Sequence, residues 1–281
     1  MNMSFIHRKI FWFWVYVVLM LGVFTFLVPP FQKPDEILHF KRAAALAKGQ
    51  ITCMRNRETD ERYFRFPKSI DELPSQMLAG HIIMNTEGRF PINLLKGPYP
   101  LSWNGYQTDL LYNCVSTIPS YIPHALGILI SIPFNSVLIS FFLARVVAAI
   151  MYAGLLFLAL RIAVKPYHYF VALTGGLPMT LFLGSSVSYD SLSIPLGILV
   201  FAYLTKLYST KAISVKILLW FMATLLVFVA VKPGYYLILA LPILFITQIM
   251  NHIGLGKTIA LFSIYSFVSF CVLWFILTMP I

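Results

Sequence analysis

Charge is scarce in this sequence, and negative charge is scarcest. Only 11% of its 281 residues are charged, and ten are acidic, where a soluble domain carries roughly 25% charged residues. Cysteine is nearly missing too. The three present form no CxxC pair, and no HExxH occurs, so a structural metal site has no support and neither metal nor other cofactor is expected. There is no GxSxG nucleophile motif. The "GLGK" near residue 254 lacks the full phosphate-loop spacing and precedes no soluble α/β unit. The net charge of +11 invites a nucleic-acid reading. The basic residues, however, are scattered at segment ends instead of lining one face, which excludes nucleic acid as a partner.

Apolar residues are what the chain has in excess. They make up 59% of it, with a mean hydropathy of +0.81. Several runs approach 20 residues, the length that crosses about 30 Å of hydrocarbon. The expected fold is therefore an all-α polytopic membrane protein. Its first span, roughly Ile10 to Val28, follows the basic His7, Arg8 and Lys9, which places the N-terminus in the cytoplasm. That run ends in "FLVPPF" without a small-residue cleavage site, so residues 1–28 read as a retained anchor helix.

Residues 29–135 read as an extracytoplasmic loop with interfacial helices. In it, "PDEILHFKRAAALAKG" predicts a juxtamembrane helix with Asp35 and Glu36 in its first turn, Ile37, Phe40 and Ala44 on one face, and Gly49 as its cap. "STIPSYIPHALGILISIPF" is apolar but short, and Pro119, Pro123 and Pro133 interrupt it. It reads as a re-entrant or interfacial half-helix. Residues 136–281 then form a helical bundle, with spans near 136–160, 167–184, 192–207, 217–231, 235–250 and 258–279. With the first helix this makes about seven; whether the bundle is complete at its C-terminus is left open. This topology puts Lys206, Lys211, Lys216 and Lys257 inside, as the charge bias requires. It also puts every acid outside or at the boundary: nine lie between Asp35 and Asp109, and the tenth is Asp190.

Any chemistry is thus expected on the extracytoplasmic side. Asp35 and Glu36 are candidates for a general base, because a carboxylate at a membrane boundary loses hydration and its pKa rises towards a useful range. The plainer reading is that both only favour the positive end of a helix. Asp35 and His39 are four apart and share a helical face. Asp190, in "SSVSYDS", lies near hydrocarbon among serine hydroxyls and either serves a site or marks a solvated turn. Arg145, mid-span in "SFFLARVVAA", needs a charged partner or a polar cavity; Asp190 and a ligand phosphate are both candidates. Lys232, in "VKPGYY", can meet an anionic headgroup, while Tyr235 and Tyr236 fit an aromatic belt. Cys53 and Cys114 both fall in the outer loop, where an oxidising compartment would permit a disulfide. Cys271 packs within a span.

Five stretches carry a resemblance: "PPFQKPDEILHF" with Arg42 and Gly49 after it, then "YIPHALG", Arg145, "SSVSYD" and "VKPGYY". In this order they resemble a bacterial family of multi-spanning proteins, domain-of-unknown-function family 2142. That family looks like a branch of the GT-C glycosyltransferases, inverting membrane enzymes that take a sugar from a polyprenyl-phosphate carrier. The resemblance implies a bacterial cytoplasmic-membrane enzyme that decorates a surface glycan on the extracytoplasmic side. It makes Asp35, with Glu36 as the other candidate, the base that deprotonates the acceptor hydroxyl. His39, Arg42, Arg145, Asp190 and Lys232 would bind substrate, with Arg145 and Lys232 stabilising the leaving phosphate. Donor lipid, glycan acceptor and membrane lipid are the expected partners, and a partner membrane protein is left open. The alternatives are a transporter or flippase of a lipid-linked saccharide, or a non-catalytic scaffold of envelope biosynthesis.

Overall fold

The structure, a computed structural model, describes residues 3–55, 62–77, 90–110, 118–210 and 214–278. Helix α1 (Met3–Phe26) ends just before Pro29 and Pro30, which have no N–H to continue its ladder. Helix α2 (Glu36–Ala47) follows. It closes at Gly49, which takes φ 85° while its N–H bonds to Leu46 O at 2.8 Å. This is the left-handed stop that glycine adopts most readily.

Beyond α2 the loop holds a small antiparallel sheet in the order β1 (Met54–Arg55), β2 (Arg62–Pro67), β3 (Tyr106–Leu110), with α3 (Lys68–Gln76) after β2. An all-helical reading has no place for this sheet. Phe64 and Phe66 alternate onto its inner face, as a period of two requires, and both are buried. Cys53 is disulfide-bonded and Cys271 is free and exposed. Cys114 and Lys211 lie outside the described residues.

The half-helix is α4 (Ile122–Ser131), packed antiparallel on the start of α5 (Val137–Ile162). The loop is hooked onto this hairpin by Val137 N–H to Tyr99 O (2.8 Å) and Leu101 N–H to Asn135 O (3.2 Å). The loop is therefore not a separate layer. Phe31, Phe40, Phe64, Phe66 and Tyr121 share one core with Phe141 of α5, so the predicted boundary at 135–136 runs through a packed core.

The bundle continues through α6 (Tyr167–Gly176), α7 (Pro178–Gly184), α8 (Asp190–Ser209) and α9 (Val215–Val231). A 3-10 helix (Pro233–Phe245), α10 (Ile246–Ile253) and α11 (Leu255–Thr278) complete it. Among the described residues, four stretches are long and apolar enough to cross a membrane: 137–162, 190–209, 233–253 and 255–275. Ile10–Phe26, Ile118–Phe134 and Val215–Val231 are shorter apolar helices. The expected span at 167–184 is broken. Leu177 leaves helical geometry (φ −59°, ψ 138°), the conformation that a following proline imposes. The expected helix at 235–250 is likewise a 3-10 run over its first part.

Gly127 sets the closeness of the α4–α5 hairpin. A Cβ there would lie 2.5 Å from Leu143 O and 2.6 Å from the Ala144 backbone. Because backbone cannot swing aside, Gly127→Ala is expected to destabilise the protein by about 1–3 kcal/mol, read as a lowered thermal midpoint in detergent. Gly154→Ala, with open space around it, is the neutral control.

Candidate functional site

The neighbours Asp35 and Glu36 meet opposite fates. Asp35 precedes α2 in left-handed backbone (φ 58°, ψ 11°) and makes no capping bond. Aspartate tolerates that conformation better than most residues. Its carboxylate is exposed and stands before the first turn, whereas His39 is buried. Among the described residues, the Asp35 carboxylate has no hydrogen-bond or ion-pair partner.

Glu36 is 1% exposed and Arg145 is fully buried. They form a bidentate pair, Arg145 Nε to Glu36 Oε1 at 2.9 Å and Nη2 to Oε2 at 2.6 Å. Val187 N–H donates to the same carboxylate at 3.1 Å. The remaining guanidinium donors reach Thr25 O (3.1 Å), Val28 O (2.7 Å) and Pro29 O (3.1 Å). These carbonyls lie at the end of α1, where a helix has unsatisfied acceptors and a partial negative charge. Arginine has five N–H donors, and all are committed. This corrects two expectations. The partner of Arg145 is Glu36, not Asp190, and Arg145 has no donor left for a ligand phosphate. Glu36, clamped and buried, is not placed to act as a base.

A second polar layer surrounds the pair. Lys33 is buried and donates to Ser185 O and to Ser185 Oγ, both at 2.7 Å. Its pKa falls to about 6, chiefly through burial and then through the Arg145 charge, with Glu36 opposing the fall. His39 Nδ1 lies 2.6 Å from Tyr121 Oη. Burial, and then His124, depress the His39 pKa to about 4 against the pull of Asp35, Asp190 and Glu36, so its ring is neutral at pH 7. His124 is fully buried, with Nε2 3.0 Å from Ser188 O and Nδ1 3.4 Å from Ala144 O. It thereby ties α4 and α5 to the serine loop. Arg42 spends its bonds on backbone: it donates to Gln50 O (3.1 Å) and Ile51 O (2.9 Å), closing the chain after α2.

Asp190 pairs with Lys232. Lys232 Nζ lies 2.9 Å from Asp190 Oδ1, and each side chain is about a third exposed. Ser193 Oγ also donates to Oδ1, at 3.2 Å. The ammonium sits over the rings of Tyr189 (4.7 Å) and Tyr235 (5.8 Å). Burial draws its pKa down, but the Asp190 hydrogen bond and charge outweigh that, and the net shift is upward. Tyr189 meets His39 edge-on, ring centroids 5.0 Å apart. The pair closes one end of a cavity of about 440 Å³, whose walls include Phe170, Ile194, Gly197, Phe201 and Phe228.

The five stretches singled out in the sequence thus meet at one end of the bundle. Ser120 Oγ, donating to Val231 O at 2.8 Å, joins the last of them to the half-helix. The chain belongs to the family described as predicted membrane protein (DUF2142). The match covers residues 18–281, which include every member of the cluster. No curated protein and no solved structure matches the chain. For this DUF2142 member, sequence reading missed Lys33, Tyr121, His124 and Tyr189 as site residues. Lys33 and Tyr121 lie within or beside the quoted stretches, yet a juxtamembrane lysine or tyrosine normally reads as a solvated charge or a belt residue. Only burial separates them from that class.

Two outcomes follow. Arg145→Met should cost about 3–5 kcal/mol, because it strands a buried carboxylate; adding Glu36→Leu should recover much of that loss in thermal unfolding. The Lys33 pKa is lower in the folded state than its usual 10.5. The folded chain therefore binds fewer protons between about pH 6 and 10.5, and stability should rise with pH across that window, by up to about 1.4 kcal/mol per unit. Lys33→Met should flatten the pH dependence of the thermal midpoint.

Proposed function

We propose that this chain is a membrane glycosyltransferase of the GT-C kind, taking a sugar from a polyprenyl-phosphate carrier and passing it to a surface glycan on the extracytoplasmic side of a bacterial cytoplasmic membrane. The observation that carries the reading is the free, exposed carboxylate of Asp35. It stands just past the first apolar helix, on backbone pinned from beneath by the Glu36–Arg145 clamp. A general base must be held in place yet left unpaired until substrate arrives, and among the two adjacent acids only Asp35 meets both conditions.

The apolar cavity supports the same reading. Its polar end, Lys232 and Asp190, connects to α2 through Tyr189 and His39. A carrier lying with its chain in the cavity would put its phosphate at Lys232, on the same end of the bundle as Asp35. Asp35 would take the proton of the acceptor hydroxyl as that oxygen attacks the anomeric carbon. The carrier phosphate would leave with the bonding electrons, and Lys232 would stabilise its charge. Arg145 acts only by holding the frame. Arg161 lies in the last turn of α5, about 24 Å from Arg145 at the helical rise and so towards the other end of the bundle. This suits a cytoplasmic basic rim and an outward-facing site.

A transporter of a lipid-linked saccharide is the second reading. The helix broken at Leu177 and the 3-10 run after Lys232 each contribute to the cavity wall, through Thr174 and Tyr235, and interrupted helices beside a midplane site are a transporter trait. Asp35→Asn separates the readings. Asparagine keeps the left-handed backbone and removes only the base. Sugar transfer to surface glycan should fall by at least ~10²-fold with unchanged protein in the membrane. If the glycan of an Asp35→Asn strain keeps every sugar of its parent while a deletion strain loses one, the transferase reading fails and the transporter reading stands.

A further inference from the structure

The Asp190–Lys232 pair closes a cavity that is otherwise nearly all apolar, and that combination asks what the pair is for. Lys232 is the single cation among the cavity-lining residues and Asp190 the single anion. From Asp190 to Phe201 the wall follows α8 for about 16 Å at the helical rise, with Phe170 and Phe228 opposite. At its open side Phe170 and Tyr235 are more than half exposed, continuous with the apolar flanks of the spanning helices where lipid chains lie. An unbranched or isoprenoid chain fits such a wall, and a headgroup at its polar end meets an ammonium already bound to a carboxylate.

We propose that Asp190–Lys232 is a latch: an anionic lipid headgroup, a phosphate ester on a long apolar chain, enters by taking the place of the Asp190 carboxylate on Lys232. This rests on the reading of the cavity as a carrier seat and adds how the seat selects its occupant. Exchange of one anion for another on Lys232 conserves the ion pair, whereas a neutral or zwitterionic headgroup would have to part the pair without replacing it. The geometry favours exchange. Lys232 is held by Tyr189 and Tyr235 and need not move. Asp190 is 28% exposed at its side chain and keeps Ser193 Oγ as a donor, so its release to water costs far less than freeing a buried charge. Asp190 is thus a competitor for the ligand's binding partner, setting a threshold that weakly charged lipids do not pass.

The consequence is a sign opposite to that of an ordinary binding residue: removing Asp190 should tighten binding. The test titrates dodecyl phosphate, and separately inorganic phosphate, into the purified full chain in a neutral detergent, with binding read by calorimetry. Asp190→Asn should bind dodecyl phosphate at least tenfold more tightly than the parent, and Lys232→Gln at least tenfold more weakly. Inorganic phosphate should show no comparable binding. Gly197→Leu, which fills the groove and leaves the pair intact, should weaken dodecyl phosphate as well. It also serves as the second variant where a change at the pair itself lowers the yield of folded protein. Unchanged or weaker binding by folded Asp190→Asn overturns the latch. Equal binding of inorganic phosphate, or no effect of Gly197→Leu, overturns the lipid as occupant. None of these readouts involves sugar transfer, so the latch and the transferase reading fail independently.

Discussion

One buried ion pair organises this end of the molecule. From the first half of α5, Arg145 satisfies the carbonyls of Thr25 in α1 and of Val28 and Pro29 just past it, and binds the first residue of α2, Glu36. The same carboxylate takes the backbone N–H of Val187 from the serine loop. Four separate segments are fixed by the two side chains. Such a pair is not favoured for its attraction alone, since desolvating both charges costs much of what their attraction returns. What it contributes is geometry. Each partner neutralises the other through two direct hydrogen bonds, so an arrangement that parts them leaves buried charge uncompensated.

This constraint explains how two adjacent carboxylates diverge. Glu36 lies at the start of α2, where the helix dipole favours negative charge, and it faces inward to Arg145. Asp35, one residue earlier and in left-handed backbone, is turned out to solvent by the same anchoring. A buried, satisfied acid thus anchors the backbone beneath an exposed one, and leaves the outer carboxylate unneutralised. Lys33 extends the logic. With Glu36 and Arg145 already balanced, a charged Lys33 would leave net positive charge in the interior, and its lowered pKa follows from that burial.

Beside this frame lies an apolar cavity whose polar border is less buried than the clamp. The 3-10 stretch after Lys232 and the partly exposed Asp190–Lys232 pair border it, whereas the clamp at Glu36 is buried and fully bonded.

Much of this was legible in the residues. Long apolar runs dictate membrane helices whatever their packing, because backbone polar groups in hydrocarbon must be satisfied within each segment. The confinement of acids to one part of the chain pointed to one side for any chemistry, and Asp35, Asp190, Arg145 and Lys232 stood out because charge near hydrocarbon demands a reason. Partnership was not legible. Arg145 could have met Asp190, a phosphate or Glu36; which one it met depends on how α1, α2 and α5 pack across more than a hundred residues of chain. The same packing separated the exposed Asp35 from the buried Glu36, buried Lys33, and split the predicted span at Pro178. Sequence by itself determined which groups could not be left alone in an apolar setting, since that follows from solvation energies of single residues; tertiary structure decided which group answers which, since that follows from distance and direction, and those are set only when the helices are brought together.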